Sequence, residues 1–304
     1  MTEKFKSGFV TVVGRPNVGK STLINVLTGE KIAITSPKPQ TTRNKQLAII
    51  TEKNYQIVFV DTPGIHSPKN RLGEFMVKTA EDAISATDVI LYLYDATENV
   101  ISEANKNIIE RISGETKTKK ILIITKVDLV EKEKILGIIA GITNLCEFDD
   151  VIPVSAVKKD GLSIIIDTIV NYLPEGPLYY PDDISTVSTV REIAEEIIRE
   201  KVLYFTNDEV PHGVGVEIIK FTEPAVPGLA TTIEATVFCE KESHKGILIG
   251  KGGSMLKKIG SSARRDIEKF TDGKVNLKLW VKVKEDWRNS QSMLKELGYK
   301  EEKD

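Results

Sequence analysis

An eight-residue glycine-rich loop constrains this chain more than any other stretch of its sequence. Residues 14–21 read Gly-Arg-Pro-Asn-Val-Gly-Lys-Ser, directly after the apolar run 9–13 and directly before the apolar run 22–27. A strand, a glycine loop and a helix in this order place backbone N–H groups around the β-phosphate of a nucleotide. Lys20 is expected to reach the β- and γ-phosphates, and the Ser21 hydroxyl to bind Mg²⁺. The predicted nucleotide-binding residues of the loop are Gly14, Arg15, Pro16, Asn17, Val18, Gly19, Lys20, Ser21 and Thr22.

After this loop the sequence alternates between strand-like and helix-like patterns. Strand-like runs lie at 45–51, 55–60, 89–94, 121–124 and 151–154, and helical apolar spacing lies at 72–85, 102–112, 131–142 and 162–172. This alternation predicts an α/β domain over residues 1–173, with a mostly parallel sheet covered by helices on both faces. The short turn at 52–54 predicts a hairpin that adds one antiparallel strand. The Pro- and Gly-rich stretch that follows predicts a linker over residues 174–188.

Two polar stretches are expected to complete the phosphate side of the site. Asp61-Thr62-Pro63-Gly64 follows a strand-like run, and parallel sheets bind ligands at the carboxyl ends of their strands. Asp61 can hold Mg²⁺ through water, and the Gly64 N–H can meet the γ-phosphate. The polar loop 40–44 precedes the second strand, where a threonine can bind Mg²⁺ only while the γ-phosphate is present. Thr42 is the first choice for that threonine and Thr41 the second.

The base side of the site is predicted at the ends of two later strands. Thr125, Lys126 and Asp128 follow the run 121–124, and Ser155 and Ala156 follow the run 151–154. A carboxylate at Asp128 that accepts from the guanine edge would select guanine, because adenine would leave it unpaired and desolvated. The Lys126 stem would lie over the base, and the Ala156 N–H would meet the guanine carbonyl.

The joint order of these motifs makes residues 9–172 resemble a translation-factor-class GTPase domain. The resemblance implies binding of GTP and GDP with Mg²⁺ at Ser21, Thr42 and Asp61, and catalytic roles for Lys20, Thr42 and Gly64. Thr125 stands where the family pattern usually has Asn, a departure that predicts lower nucleotide affinity. Ile65 stands where many relatives have a water-orienting Gln, and Asn17 resembles members that recruit K⁺ in place of an arginine finger.

A second glycine loop marks the C-terminal part of the chain. Residues 250–253 read Gly-Lys-Gly-Gly, between the apolar run 247–249 and an amphipathic helical pattern. Such a Gly-x-x-Gly turn lets a single-stranded RNA backbone approach closely. The order helix, strand, strand, helix, helix, strand over residues 189–288 resembles an α+β type II KH domain. The predicted RNA-binding residues are Ile249, Gly250, Lys251, Gly252, Gly253, Lys257, Lys258, Arg264 and Arg265.

A GTPase domain followed directly by one KH domain resembles the bacterial Era family over nearly the whole chain. The resemblance implies a GTPase that acts in assembly of the small (30S) ribosomal subunit and binds single-stranded 16S rRNA near its 3′ end. It also implies peripheral association with the cell membrane, for which the sequence offers only an amphipathic stretch, 290–297, in the tail 289–304. We expect a monomer.

Charge and cysteine content are consistent with this prediction but leave an alternative open. Residues 241–288 carry 13 basic and 6 acidic side chains, although the net charge of the chain is −2, and such a basic stretch favours a local anionic partner. The two cysteines lie far apart and no signal peptide is visible, which favours a reducing cytoplasm. The alternative is a regulatory GTPase switch with a protein or membrane partner, in which the KH-like module is a docking surface.

Overall fold

The computed structural model describes residues 4–36, 38, 40–65, 67–224, 226 and 228–300. The ends of the predicted first domain and of the predicted tail, 1–3 and 301–304, lie outside this range. The chain falls into two compact units. The first consists of Met1–Ala33, Thr42–Pro68 and Gly73–Val187, and the second of Ile34–Thr41, Lys69–Leu72 and Ser188–Asp304.

The first unit is built around a twisted six-stranded sheet in the order β2-β3-β1-β4-β5-β6. Strand β2 runs antiparallel to β3, and the other neighbouring pairs are parallel. The strands are β1 (Lys6–Gly14), β2 (Gln46–Glu52), β3 (Tyr55–Asp61), β4 (Val89–Asp95), β5 (Lys119–Thr125) and β6 (Asp150–Pro153). The helices are α1 (Lys20–Thr28), α2 (Arg71–Ser85), α3 (Glu103–Ser113), α4 (Lys132–Thr143) and α5 (Leu162–Tyr172).

Both faces of this sheet are buried, which explains why its central strands are continuous apolar runs. Successive side chains of a strand point to opposite faces. On β4, Leu91 and Leu93 pack into the cluster that contains Leu23 of α1 and Ile165 of α5. Residues Ile90, Tyr92 and Tyr94 pack into a second cluster, together with side chains of α2, α3 and α4. The predicted α/β class, with helices on both faces and one antiparallel strand, is confirmed.

The second unit contains the elements α6 (Val190–Phe205), β7 (Gly215–Thr222), β8 (Thr231–Cys239), α7 (Glu242–Ile249), α8 (Ser254–Thr271), β9 (Val275–Val283) and α9 (Gln291–Glu296). Its sheet has the order β7-β8-β9, in which β7 and β8 are antiparallel and β8 and β9 parallel. The element order from α6 to β9 confirms the predicted KH arrangement. Helices α6 and α8 pack on one face of the sheet through an apolar core that includes Ile197, Ile233 and Ile267.

The C-terminal stretch packs within the second unit. Ser290 caps α9 by accepting from the Met293 N–H, and Met293 and Leu294 are buried. The Trp287 indole donates to the Gly213 carbonyl at 2.9 Å and stacks near Tyr299. The apolar residues of the predicted amphipathic stretch 290–297 therefore serve the core of this unit. Among the helices of the described residues, none is long and apolar enough to cross a membrane.

Candidate functional site

The glycine loop leaves the carboxyl end of β1 and ends where α1 begins. Asn17 and Gly19 adopt left-handed backbone conformations, with φ of 66° and 102°. At Gly14, an added Cβ would lie 2.7 Å from the Leu93 carbonyl oxygen of β4, so only glycine lets the loop leave the sheet along this path. The first residues of α1 are Lys20 and Ser21, which places their side chains beside the N–H groups at the helix N-terminus.

The Lys20 side chain lies inside the glycine loop, where a phosphate group is expected to bind. Its side chain is buried, and its ammonium donates to the carbonyls of Gly14 at 3.2 Å and Arg15 at 3.1 Å. Burial lowers the pKa of Lys20 to about 8, although the charge of Asp61 opposes this shift. A group that carries negative charge would stabilise the ammonium form in this position, so the site is suited to an anion.

The three predicted Mg²⁺ ligands converge on one point. The Ser21 hydroxyl donates to Asp61 Oδ2 at 2.7 Å, the Thr42 hydroxyl lies 3.2 Å from the same oxygen, and the two hydroxyls are 3.0 Å apart. Burial raises the pKa of Asp61, against the opposing effects of Lys20 and of the hydrogen bonds from Ser21 and Thr42. By contrast, the Thr41 hydroxyl donates to the Lys38 carbonyl, which supports Thr42 as the first choice.

The second carboxylate oxygen of Asp61 can accept a further partner. Asp61 Oδ1 is buried and has no hydrogen-bond partner among the described residues. An unpaired buried carboxylate oxygen is costly, and oxygen atoms of carboxylates and hydroxyls are the ligands that Mg²⁺ prefers. The residues present therefore fit a Mg²⁺ ion.

Residues 62–65 connect the metal cluster to the glycine loop. The Thr62 hydroxyl donates to the Val12 carbonyl at 2.7 Å, so this side chain fixes the backbone. At Gly64, an added Cβ would lie 2.8 Å from the Pro16 nitrogen, which shows how closely the two loops approach. Ile65 is buried in the apolar cluster on the α2 side of the sheet and offers no polar group for a water molecule.

Thr125 and Lys126 tie the base side of the site to the glycine loop. The Thr125 hydroxyl donates to the Val18 carbonyl at 2.7 Å and lies 3.2 Å from the Tyr94 carbonyl. The Lys126 ammonium donates to the Asn17 carbonyl and pairs with Asp95 at 2.5 Å. Lys126 itself has a φ of 58°, which turns the chain toward the following short helical turn with Asp128.

The last predicted base contact lies in a tight loop after β6. Ser155 and Asp160 form an isolated bridge, and the Ser155 hydroxyl accepts from the Lys158 N–H at 3.1 Å. These bonds fix the loop that carries Ala156. The end of β5 and the end of β6 are adjacent in the sheet, so the loops carrying Asp128 and Ala156 start from neighbouring strands.

The second glycine loop joins α7 to α8 in an unusual backbone conformation. Gly250, Gly252 and Gly253 have φ of 71°, 59° and 80°. An added Cβ at Gly252 or Gly253 would meet no atom within 4 Å, whereas one at Gly250 would lie 2.8 Å from the Met255 nitrogen. At the last two positions glycine is therefore favoured by its positive φ and not by any packing contact. The open space beside these glycines would let another backbone approach closely.

The predicted basic residues lie on exposed faces of α8 beyond this loop. Lys257 and Arg264 are separated by seven residues and share one side of the helix, and Lys258 and Arg265 share the adjacent side. The Lys258 ammonium lies 4.4 Å from the centre of the Phe205 ring of α6. Lys257 is closest in sequence to the loop, and Ile249 ends α7 on its other side.

Comparison with known proteins decides the family. Residues 9–126 match the family described as 50S ribosome-binding GTPase, and residues 209–288 match the KH domain. The GTPase Era of Ruminiclostridium cellulolyticum is 53% identical over 98% of this chain and 99% of its own length. The GTPase Era of Clostridium botulinum strain Okra is 50% identical over 98% and 100%. The chain belongs to the Era family of GTPases.

Solved Era structures share the fold over nearly the full length. Era in complex with MgGDPNP and nucleotides 1506–1542 of 16S ribosomal RNA superposes with a TM-score of 0.92, at 38% identity, covering 97% of this chain and 99% of that one. A variant of Aquifex aeolicus Era bound to GDP·AlF4⁻ gives the same values. The predicted GTPase domain and KH domain of this Era-family chain are therefore confirmed.

Sequence reasoning missed a polar network that holds the glycine loop of this Era-family protein. Arg15 pairs with Glu98 at 2.8 Å, and the second oxygen of Glu98 accepts from Asn105 of α3. The side-chain oxygen of Asn105, Oδ1, in turn accepts from the Tyr92 hydroxyl of β4 at 3.1 Å. The Arg15 guanidinium is thereby directed to Glu98. Glu98 and Asn105 carry no motif, so only their spatial contact identifies them.

Proposed function

We propose that this protein is an RNA-binding GTPase that acts in assembly of the small ribosomal subunit. Its first unit binds and hydrolyses GTP, and its second unit binds single-stranded 16S rRNA near the 3′ end through loop 250–253. This proposal extends to the present chain the partner held by Era in complex with 16S ribosomal RNA, a structure that aligns with 97% of it.

The open glycine loop is the observation that carries the RNA-binding part. Gly252 and Gly253 combine positive φ with empty space where a side chain would stand. The exposed basic residues Lys251 in the loop and Lys257 and Arg264 on α8 would add electrostatic attraction for a phosphate backbone.

Ser21, Thr42 and Asp61 would hold Mg²⁺, as the unpaired Asp61 Oδ1 supports. Bound there, the ion would offset the negative charge on the β- and γ-phosphates. Lys20 would give up its bonds to the Gly14 and Arg15 carbonyls for the phosphate oxygens, and its ammonium form would be stabilised. The Gly64 N–H would bind the γ-phosphate.

Guanine recognition is assigned to Asp128, with Lys126 and Ala156 flanking the base. Since Ile65 is buried, we assign it no part in orienting water. We propose instead that Asn17 helps to bind K⁺ beside the phosphates, as the GTPase resemblance implies.

RNA binding can be tested by filter binding with full-length protein, GDPNP and an RNA of 16S nucleotides 1506–1542. Gly252→Asp should weaken binding at least about tenfold, because it adds a negative charge and a side chain where a phosphate backbone approaches. Gly298→Asp is the matched control, because Gly298 also has a positive φ, 80°, and open space in the same unit. It should bind as the wild type does.

The same assay separates the two functional alternatives. If wild type and Gly252→Asp bind equally, loop 250–253 is not the RNA site. Failure of the wild type to bind this RNA would favour the regulatory switch with a protein or membrane partner. Met293 and Leu294 are buried within their own unit. Peripheral membrane association stays a prediction from the family resemblance, and the cytoplasmic location and the monomeric state stay predictions from the sequence.

A further inference from the structure

The segment that precedes Thr42 is bound to helix α6 by two buried charged side chains. Residues Ile34–Thr41 belong to the second unit, together with α6. Arg199, 1% exposed, donates through Nη2 to the Thr41 carbonyl. Glu200, 4% exposed, accepts from the Thr35 N–H at 3.0 Å. Both ends of the segment are thus held by consecutive residues of one helix.

These contacts involve the backbone of the segment and charged groups of the helix, which makes them strong. Hydrogen bonds to charged groups are stronger than those between neutral groups, especially where water is excluded. Burial disfavours the charged form of Arg199, but pairing with Glu196 outweighs this and raises its pKa, so the guanidinium stays charged. Its Nε donates to Glu196 Oε1 at 2.9 Å.

One nitrogen of the Arg199 guanidinium makes no stabilising bond within the described part of the chain. Its Nη1 atom is buried and has no hydrogen-bond partner among the described residues. A buried unpaired donor costs free energy, and natural proteins keep such a cost mainly at functional positions. The bonds that the side chain does make join it to Glu196 on its own helix and to the Thr41 carbonyl outside the helix.

That carbonyl belongs to the peptide group that presents Thr42. The C=O of Thr41 and the N–H of Thr42 lie in one plane, so fixing the oxygen restricts how Thr42 is oriented. In this arrangement the Thr42 hydroxyl lies 3.0 Å from Ser21 Oγ and 3.2 Å from Asp61 Oδ2. The orientation that Arg199 supports is the one in which Thr42 joins the metal cluster.

We propose that Arg199 is a positioning residue for Thr42 and thereby sets how strongly the protein prefers a nucleoside triphosphate over a diphosphate. The inference rests on the proposed role of Thr42 as a Mg²⁺ ligand. Because Thr42 contributes only when a γ-phosphate is present, loss of Arg199 weakens triphosphate binding and leaves diphosphate binding unchanged. Glu200 supports the same arrangement from the other end of the segment.

Fluorescent GDPNP and GDP, titrated into full-length protein with Mg²⁺, test this preference without measuring turnover. Arg199→Ala should lower the GDPNP affinity about tenfold at constant GDP affinity, as expected for loss of one charge-assisted hydrogen bond. Arg199→Lys keeps one charged donor and should restore part of the preference. Arg191→Ala is the matched control, because Arg191 lies on the same helix but donates to the Ile218 carbonyl of β7.

The pattern across variants decides the outcome. Equal losses for GDPNP and GDP in Arg199→Ala, or no loss at all, would overturn the inference. The variant Thr42→Ala separates the role of Arg199 from the proposed metal site. If Thr42→Ala loses the preference for GDPNP over GDP and Arg199→Ala keeps it, Arg199 is not a positioning residue and the metal site stands. If Thr42→Ala keeps the preference, both fail. Should Arg199→Ala not fold, Glu200→Ala must lower the preference, and an unchanged ratio there refutes the proposal.

Discussion

The short side chain of Thr125 forms a structural hydrogen bond within the nucleotide site. Its hydroxyl reaches the Val18 carbonyl at 2.7 Å from the end of β5, and Thr125 itself is 6% exposed. The bond joins the loop around the phosphates to the strand that carries Lys126 and Asp128. Thr125 therefore ties the glycine loop to β5 from the position where the family pattern usually has Asn.

Replacing Thr125 with Val should weaken GDP and GDPNP binding by the same factor, about tenfold. Valine keeps the shape and the packing but leaves the buried Val18 carbonyl without its donor, a loss of about 1–2 kcal/mol. Isothermal titration calorimetry with each nucleotide measures the change. Thr125→Ser retains the hydroxyl and should bind nearly as well as the wild type, and wild-type affinity in the valine variant would show that the tether is dispensable.

Much of the nucleotide site could be predicted from the sequence because each of its motifs is local. Lys20 and Ser21 follow a strand and begin a helix, so their neighbours in the chain define their environment. The departure at Thr125 could be seen in the sequence, but its consequence could not. Whether a hydroxyl reaches Val18 depends on how closely β5 lies to the loop, and tertiary packing rather than local sequence sets that distance.

At the level of elements, α6 binds the backbone of its neighbouring strand β7 next to an irregularity in that strand. The register between β7 and β8 shifts between Ile218 and Lys220. Arg191 donates to the Ile218 carbonyl, and Glu195, one turn further along the helix, accepts from the Ile218 N–H at 2.7 Å. Helix α6 therefore supplies hydrogen-bond partners to both backbone groups of Ile218, the residue directly before the shift on this edge strand.

Glu195 should make the second unit less stable as the pH rises from about 4.5 to 7. Burial raises the pKa of Glu195 to about 7, with smaller increases from Glu196 and Glu192 that the Ile218 N–H and Arg191 oppose. The native state therefore keeps a proton that the unfolded chain releases in this range, so the free energy of unfolding falls through it.

Glu195→Gln should remove this dependence. The amide does not titrate and its oxygen can still accept from Ile218, so the variant should exceed the wild type by about 1–3 kcal/mol at pH 8 and match it near pH 4.5. Urea unfolding followed by tryptophan fluorescence measures this, because both tryptophans of the chain, Trp280 and Trp287, lie in the second unit. Parallel stability curves for the two proteins would contradict the assignment.

The helices and strands of the second unit could be predicted from the sequence pattern, whereas the packing partners of its C-terminal stretch could not. Apolar spacing predicted the helices and strands around the core that contains Ile197 and Ile233. The stretch 290–297 also had an amphipathic pattern, but the pattern does not state what covers the apolar side. Here that partner is the same unit, through Met293 and Leu294.

At the scale of the whole molecule, nucleotide and RNA binding should be thermodynamically coupled. Arg199 connects the Thr41 carbonyl to α6, and α6 packs with α8, which begins at loop 250–253. If GDPNP strengthens RNA binding by some factor relative to GDP, RNA must strengthen the preference for GDPNP by the same factor.

We expect this factor to be about tenfold in the wild type, within the usual range of allosteric coupling, and near one in Arg199→Ala. Filter binding with the 16S fragment in saturating GDPNP or GDP measures the factor as a ratio of RNA affinities. Nucleotide titration with and without RNA measures the same factor as a change in the preference for GDPNP over GDP. Equal RNA affinities in the two nucleotide states of the wild type would mean that the units act independently.

The bonds between α6 and residues 35–41 also bear on how the protein is made. Partners in these bonds are 165 residues apart for Thr35 and Glu200, and 158 apart for Thr41 and Arg199. Domains generally fold in the order of synthesis, so the first unit can assemble its own core before α6 has left the ribosome. Thr35 and Thr41 gain their partners only afterwards. A nascent chain therefore carries a folded GTPase core whose Thr42 acquires its final support late in translation, after Arg199 has emerged.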